Sequence, residues 1–209
     1  MKLITLIATR NKSCHVKTMH SVLRLNLRCL QGGHSNEIVF VQDDPFDKAE
    51  AIQNVIKHKQ DCDRLLFIDF GIHVDDESLS RAFETYEGCG VLVFPGVTEG
   101  VDWNQFRESV KNNVDEPDEQ KGLNFDTVIG NRKIADDVFA VDSTTARCWV
   151  ANVKALRKKI DRVSPGGKMF EKFKEAGVKV YAYVNASLTM TYAHECYSNI
   201  LNAAGVKAN

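Results

Sequence analysis

The sequence predicts an α/β fold with a central mixed, mostly parallel sheet flanked by helices. Three observations lead there. Short apolar runs alternate with stretches of helical periodicity as far as Pro95, the pattern of parallel strands with helices on their faces. Polar loops follow three successive runs, and in an open α/β sheet ligands bind in the crevice at the carboxyl ends of strands. The third run ends in Asp69, where that strand should emerge from the sheet.

Residues 3–8 are a short apolar run and read as a central strand. Thr9-Arg10-Asn11-Lys12-Ser13 is a polar loop. Val16, Met19, Leu23 and Leu27 recur at helical spacing and predict a helix with that apolar face. Gly32-Gly33 ends it. Residues 38–41 form a second strand, closed by Gln42-Asp43-Asp44-Pro45. Ala49, Ile52 and Ile56 give the next helix one apolar face. Residues 65–68 are the third strand. Leu79, Ala82, Phe83 and Tyr86 mark another helix, and residues 91–94 a fourth strand, stopped by Pro95-Gly96.

The second half is less regular. Trp103, Phe106 and Val110 predict a helix. Residues 112–122 are dense in charge and polar groups and predict a mobile loop. Val153, Leu156, Ile160 and Val163 predict a helix with a basic face of Lys154, Arg157, Lys158 and Lys159, broken by Ser164-Pro165-Gly166-Gly167. Met169, Phe170 and Phe173 give a further helix, and residues 178–184 a late strand.

A chain of 209 residues suits one α/β domain with a sizeable core. The net charge of −1 argues against a global basic field for nucleic acid. The six cysteines contain no C-x-x-C pair, so free thiols in a reducing compartment are expected, with a cytoplasmic location. The opening apolar run is short and interrupted by Thr5, which fits a strand better than a signal peptide. No stretch is long and apolar enough to span a bilayer.

The common phosphate loops are missing. There is no G-x-x-x-x-G-K-[ST], and no G-x-G-x-x-G follows the first strand. Without a glycine cradle, a nucleoside diphosphate needs another counter-charge, and a metal held by carboxylates is a natural substitute. Asp69 suits that role or merely caps a turn, and the segment alone leaves both readings open.

Leu3-Ile-Thr-Leu-Ile-Ala-Thr-Arg-Asn11 resembles the first strand and loop of nucleotide-sugar glycosyltransferases with the GT-A fold. Arg64 to Leu79 resembles their strand carrying the D-x-D motif, and Gly90-Val-Leu-Val-Phe-Pro95 with Val101-Asp-Trp103 resembles the next strand and acceptor-side loop. The likeness covers about residues 1–110 and is nearest to glycosyltransferases encoded by chlorella viruses, in their amino-terminal domain. It implies a GT-A-like, Rossmann-like single domain over residues 1–209. The nucleotide-binding half would cover about residues 1–100 and the acceptor-binding half about 101–209, alone or within a longer protein.

The resemblance also implies chemistry. A sugar would move from a nucleoside diphosphate donor, UDP being the expected nucleotide, to a carbohydrate or glycoprotein-glycan acceptor, assisted by Mn²⁺ or Mg²⁺. For a viral enzyme the site of action would be the host cytoplasm. Asp69 would be the first D-x-D acid, with Gly71 in place of the second. Asp75, Asp76 or Glu77, a water, or His194 would complete the metal shell. His194 stands where some family members supply a late histidine, and reads otherwise as an ordinary surface or core histidine. Thr9 and Arg10 would lie beside base and phosphates, and Asp43 and Asp44 beside base or ribose. For the two aspartates, turn chemistry before Pro45 is an equal reading. Lys12 and Lys48 would meet phosphates or be solvated charges. Asp102 and Trp103 would bind acceptor, the indole stacking on a sugar ring, and a core anchor of its helix is an equal reading of Trp103. Asp102 and Asp142 are the candidate catalytic carboxylates.

Two rival functions stay open. A sugar-1-phosphate nucleotidyltransferase shares the plan, but its first loop carries glycines that Thr9 to Ser13 lack. A non-catalytic nucleotide-sugar-binding domain fits the incomplete D-x-D.

Overall fold

The computed structural model describes residues 1–98, 102–113, 121–186 and 188–190. Ten strands and six helices follow in the order β1 (Lys2–Thr9), α1 (Val16–Gln31), β2 (Ser35–Gln42), α2 (Pro45–His58), β3 (Arg64–Ile68), β4 (Ile72–Val74), α3 (Asp76–Arg81), β5 (Cys89–Phe94), α4 (Trp103–Lys111), β6 (Thr127–Ala135), β7 (Val138–Thr144), β8 (Cys148–Asn152), α5 (Val153–Arg157), α6 (Met169–Glu175), β9 (Lys179–Tyr183) and β10 (Leu188–Met190) among the described residues.

Eight strands form one mixed sheet in the order β2-β1-β3-β8-β5-β9-β7-β6. The pairs β1–β2, β1–β3 and β5–β9 are parallel, and β3–β8, β5–β8, β7–β9 and β6–β7 antiparallel. Strands β7 and β8 therefore run against the other six. The run from Leu3 to Thr9 is buried at every residue, as a strand covered on both faces requires.

Each face carries its own core. On one, Ile52 and Ile56 of α2, Leu156 of α5, and Phe170 and Phe173 of α6 cover Ile4, Leu6, Phe67 and Trp149. On the other, Val22 and Leu25 of α1 and Leu79 of α3 cover Leu3, Ile7, Leu66 and Phe94.

The helix expected from Val16, Met19, Leu23 and Leu27 forms, but it turns a different face inward. Val16, Leu23 and Leu27 are exposed, and the buried residues are Thr18, Ser21, Val22, Leu25 and Cys29. The reason is hydrogen bonding. Thr18 Oγ1 donates to Ile72 O at 2.8 Å, Ser21 Oγ donates to Val74 O at 3.1 Å, and Val74 N donates to Ser21 Oγ at 2.9 Å. Backbone groups of β4 that would otherwise be buried without partners are satisfied by two hydroxyls, so polar residues belong inside here.

The expected helix through Val163 stops at Arg157, although Ile160 and Val163 are buried as expected. Its basic face is engaged. Arg157 Nε donates to Ile56 O at 2.7 Å and Nη2 to Lys59 O at 2.9 Å, which satisfies carbonyls at the end of α2. Strands β4, β6, β7, β8 and β10 are additions to the sequence reading, and the helix expected to reach Tyr86 ends at Arg81. Of the loop expected to be mobile, residues 114–120 lie outside the described residues.

Strand β8 holds the largest fully buried side chain. Trp149 stacks on Phe67 at 5.4 Å between ring centres and meets Phe170 edge-on at 5.9 Å. Trp149→Ala is expected to lower the unfolding free energy by about 3–5 kcal/mol, the cost of emptying an aromatic site in a core, measured by urea titration.

Candidate functional site

Strands β1, β2 and β3 pair in parallel register, so the residues that follow them share one rim of the sheet. Arg10 follows β1, Asp43 and Asp44 follow β2, and Asp69 follows β3. Strand β8 runs the other way, so the residue before it reaches the same rim. Ile68 pairs with Cys148, and Asp69 N donates to Arg147 O at 2.9 Å. Lys48 comes from the first turn of α2.

Five charged side chains join here in one chain of ion pairs. Arg10 Nε donates to Asp43 Oδ2 at 2.5 Å. Lys48 Nζ pairs with Asp43 Oδ1 and with Asp69 Oδ1, the latter at 2.7 Å. Arg147 Nε donates to Asp69 Oδ2 at 3.1 Å and its Nη2 to Phe70 O at 3.0 Å. The Arg10 guanidinium also lies 4.7 Å from the centre of the Phe70 ring, within cation–π reach. Signs alternate along the chain, Arg10–Asp43–Lys48–Asp69–Arg147. Burial pushes the Asp43 carboxyl up, but the hydrogen bonds and charges of Lys48 and Arg10 outweigh it and hold this group below the usual carboxylate range.

A cleft of about 190 Å³ opens beside this chain. Lys48, Asp69 and Arg147 line its charged side, and Ile52, Trp149 and Phe170 contribute apolar wall. Sites that enclose a drug-sized ligand measure roughly 300–1,000 Å³, so this cleft takes one part of a larger ligand.

The place of the second D-x-D acid is occupied for a backbone reason. Ile72 N donates to Asp69 O at 3.3 Å across a tight turn, and Gly71 within it has φ of 74°. A turn that needs this left-handed conformation favours glycine. The turn sends the chain directly into β4.

The other expected site residues separate into groups. Arg10, Asp43 and Asp69 meet in the ion-pair chain. Thr9 is buried and donates its hydroxyl to Val41 O at 3.1 Å, which ties β1 to β2. Asp44 caps α2 by accepting from Phe46 N and Asp47 N. Asp102 caps α4 by accepting from Asn104 N and Gln105 N. Trp103 is half-exposed and edge-on to Phe106, so it is not an anchor in the core. Asp142 is exposed on β7, beside Gly130, and does not line the cleft. His194 lies outside the described residues.

These contacts decide whether a divalent ion fits. Asp69 Oδ1 accepts from Lys48 Nζ and from Phe70 N, and Oδ2 accepts from Arg147 Nε. A divalent ion about 4 Å from one such cation would be repelled by about 8 kcal/mol at an effective dielectric of about 20. The acids expected to help are committed elsewhere. Asp75 caps α3, Asp76 pairs with Arg24 and Arg28, and Glu77 accepts from the Tyr183 hydroxyl at 2.5 Å. Among the described residues no three or more histidine, cysteine or acidic side chains are grouped as metal ligands. The described residues do not fit a divalent ion at Asp69.

Three residues near this rim carry weight that sequence reasoning did not assign. Lys48 reads in sequence as a phosphate candidate that is more often a solvated charge. Arg147 precedes an antiparallel strand, whereas attention to strand ends looks only downstream. Asp126 is buried, with Oδ1 accepting from Gly96 N at 3.1 Å and from Thr127 Oγ1 at 2.8 Å, while Oδ2 has no partner. Burial raises its carboxyl above the ordinary range, against the opposing pull of Gly96 N–H, the Thr127 hydroxyl and Arg147.

No family model matches the chain, and no curated protein matches it. Solved structures match in fold. The protein A197 from STIV gives a TM-score of 0.55 over 90% of this chain and 84% of its own, at 12% identity. The catalytic domain of Drosophila beta-1,4-galactosyltransferase 7, in complex with xylobiose, gives 0.52 over 91% and 70%, also at 12%. A mutant of that Drosophila enzyme in complex with manganese, UDP-Gal and xylobiose gives 0.50 over 94% and 73%, at 10%. The chain shares the GT-A fold of these proteins, with the eight-stranded mixed sheet described above.

Asp126 supplies a pH test of the rim. A carboxyl whose folded value lies above its unfolded value, about 3.9, destabilises the fold as pH rises between the two, and the full cost remains above the folded value. Asp126→Asn removes that charge. Its melting temperature relative to wild type is expected to be more favourable near pH 8 than near pH 4, measured by thermal denaturation in both buffers. An equal difference at both pH values would show that Asp126 ionises in the folded chain as it does in the unfolded one.

Proposed function

We propose that the chain is a glycosyltransferase that moves a sugar from a nucleoside diphosphate donor to a carbohydrate acceptor. The observation that carries this reading is the ion-pair chain at the carboxyl ends of β1, β2 and β3, beside an apolar-walled cleft, on a GT-A sheet. A diphosphate suits the rim and the C–H faces of a sugar suit the apolar wall. UDP is the nucleotide to test first. The likeness to chlorella-virus enzymes belongs to the same proposal and rests on the motif residues at Leu3 to Asn11 and Arg64 to Leu79.

In the proposed step, the bond between the anomeric carbon and the phosphate oxygen breaks, and its electron pair leaves on the nucleoside diphosphate. An acceptor hydroxyl oxygen forms the new bond to that carbon, and its proton passes to solvent. Positive groups fixed where charge builds on the leaving oxygen act most strongly in the transition state. Asp69 serves as a positioning residue, because each of its oxygens fixes one cation. Trp103 and Asp102, at the start of α4, remain the proposed acceptor side.

The test is an assay of donor turnover with a panel of UDP-sugars and simple saccharides. Release of UDP without pyrophosphate is expected, and Asp69→Asn is expected to reduce it by about tenfold or more, a loss of about 1.4 kcal/mol of transition-state stabilisation. Pyrophosphate release would assign nucleotidyl transfer instead. Binding of UDP-sugar without any turnover would assign a binding domain.

A further inference from the structure

We infer that Lys48 and Arg147, held in place by Asp69, supply the positive charge for the donor's diphosphate, so that the nucleotide binds without a divalent ion. The inference deepens the reading of this rim as a nucleotide-sugar site and rests on it.

Three features of the rim lead to it. First, both oxygens of Asp69 are taken by cationic donors, Lys48 Nζ at 2.7 Å and Arg147 Nε at 3.1 Å. A carboxylate that is to ligate a metal must present an oxygen lone pair to it, and a cation already in that place opposes the ion by like charge. Second, glycine stands in place of the second acid, in a turn whose φ of 74° favours it. Third, Lys48 and Arg147 both line the cleft, one from α2 and one from the approach to β8. Two groups from separate elements on one carboxylate form a clamp whose spacing is set by the sheet.

The chemistry of the two groups suits the task. An ammonium carries three donors, and Asp43 and Asp69 account for two at Lys48. A guanidinium is permanently charged and well matched to phosphate oxygens. Lysine and arginine clamps stabilise transferring or departing phosphates as metal ions do. The carboxylates then have a positioning role: they keep the cations at the rim in the absence of ligand and offset their mutual repulsion.

Calorimetric titration of the whole chain with UDP and with uridine, each in excess EDTA and in Mn²⁺, tests this. UDP is expected to bind in EDTA within about threefold of its Kd in Mn²⁺, and Lys48→Met and Arg147→Met are each expected to weaken it by about tenfold or more. Neither variant should change uridine binding, because uridine has no phosphate. Lys48→Arg, which restores the charge, should recover part of the loss. UDP binding that needs Mn²⁺ would overturn the inference while leaving the nucleotide-sugar reading intact. Equal losses for UDP and uridine would assign the two cations a structural role only, and would also overturn it. Absence of binding by UDP, GDP, CDP and ADP in both buffers would overturn the nucleotide-sugar reading, and the inference with it.

Discussion

Strand β8 is hydrogen-bonded on both sides, to β3 through residues from Ile68 to Arg64 and to β5 through residues from Phe94 to Val91. This antiparallel strand closes the gap between two groups of parallel strands, and its direction decides what stands at the functional rim. Because β8 runs against its neighbours, its first residues lie where theirs end. Arg147 is thereby brought opposite Asp69, with a backbone hydrogen bond between them as well as an ion pair. Trp149, two residues on, fills the core below and forms part of the cleft wall. Core packing and site charge depend on the same short strand.

The ion-pair chain is a compromise between desolvation and attraction. Charged groups at a half-buried rim lose hydration, and their pairing offsets the loss only when the geometry is good and other hydrogen bonds complete the set. Asp43 shows the balance, since burial acts against its ionised form and its two cationic neighbours restore it. Asp69 adds the Phe70 and Arg147 backbone contacts. Asp126 shows the opposite outcome, a buried carboxyl with one oxygen left without a partner.

The same considerations explain how a GT-A fold persists at 10–12% identity to the solved structures that share it. Parallel strands buried on both faces require only continuous apolar runs, and helices on each face require only one apolar side. Many sequences meet these conditions. The rim is far less constrained by the fold, and there this chain places a glycine turn and two cations around one aspartate.

The sequence by itself determined the first four sheet strands that the apolar runs announced, the helices between them, and the meeting of Arg10, Asp43 and Asp69 at one edge. These follow from local period and from chain direction, both of which a linear pattern carries. It also determined the doubt over Asp69, since Gly71 is visible in the text of the chain. Tertiary structure decided the rest. The buried face of α1 runs through Thr18 and Ser21 because β4 needs hydrogen-bond partners, and hydropathy does not record that need. Asp44 and Asp102 cap helices in space, which the sequence left open, since an N-cap and a ligand-binding carboxylate use the same residue types. The pairing of Lys48 and Arg147 on Asp69 joins residues 21 and 78 positions away from it. Only the order and direction of strands in the sheet bring such distant charges within hydrogen-bond reach, and no periodicity along the chain encodes that order.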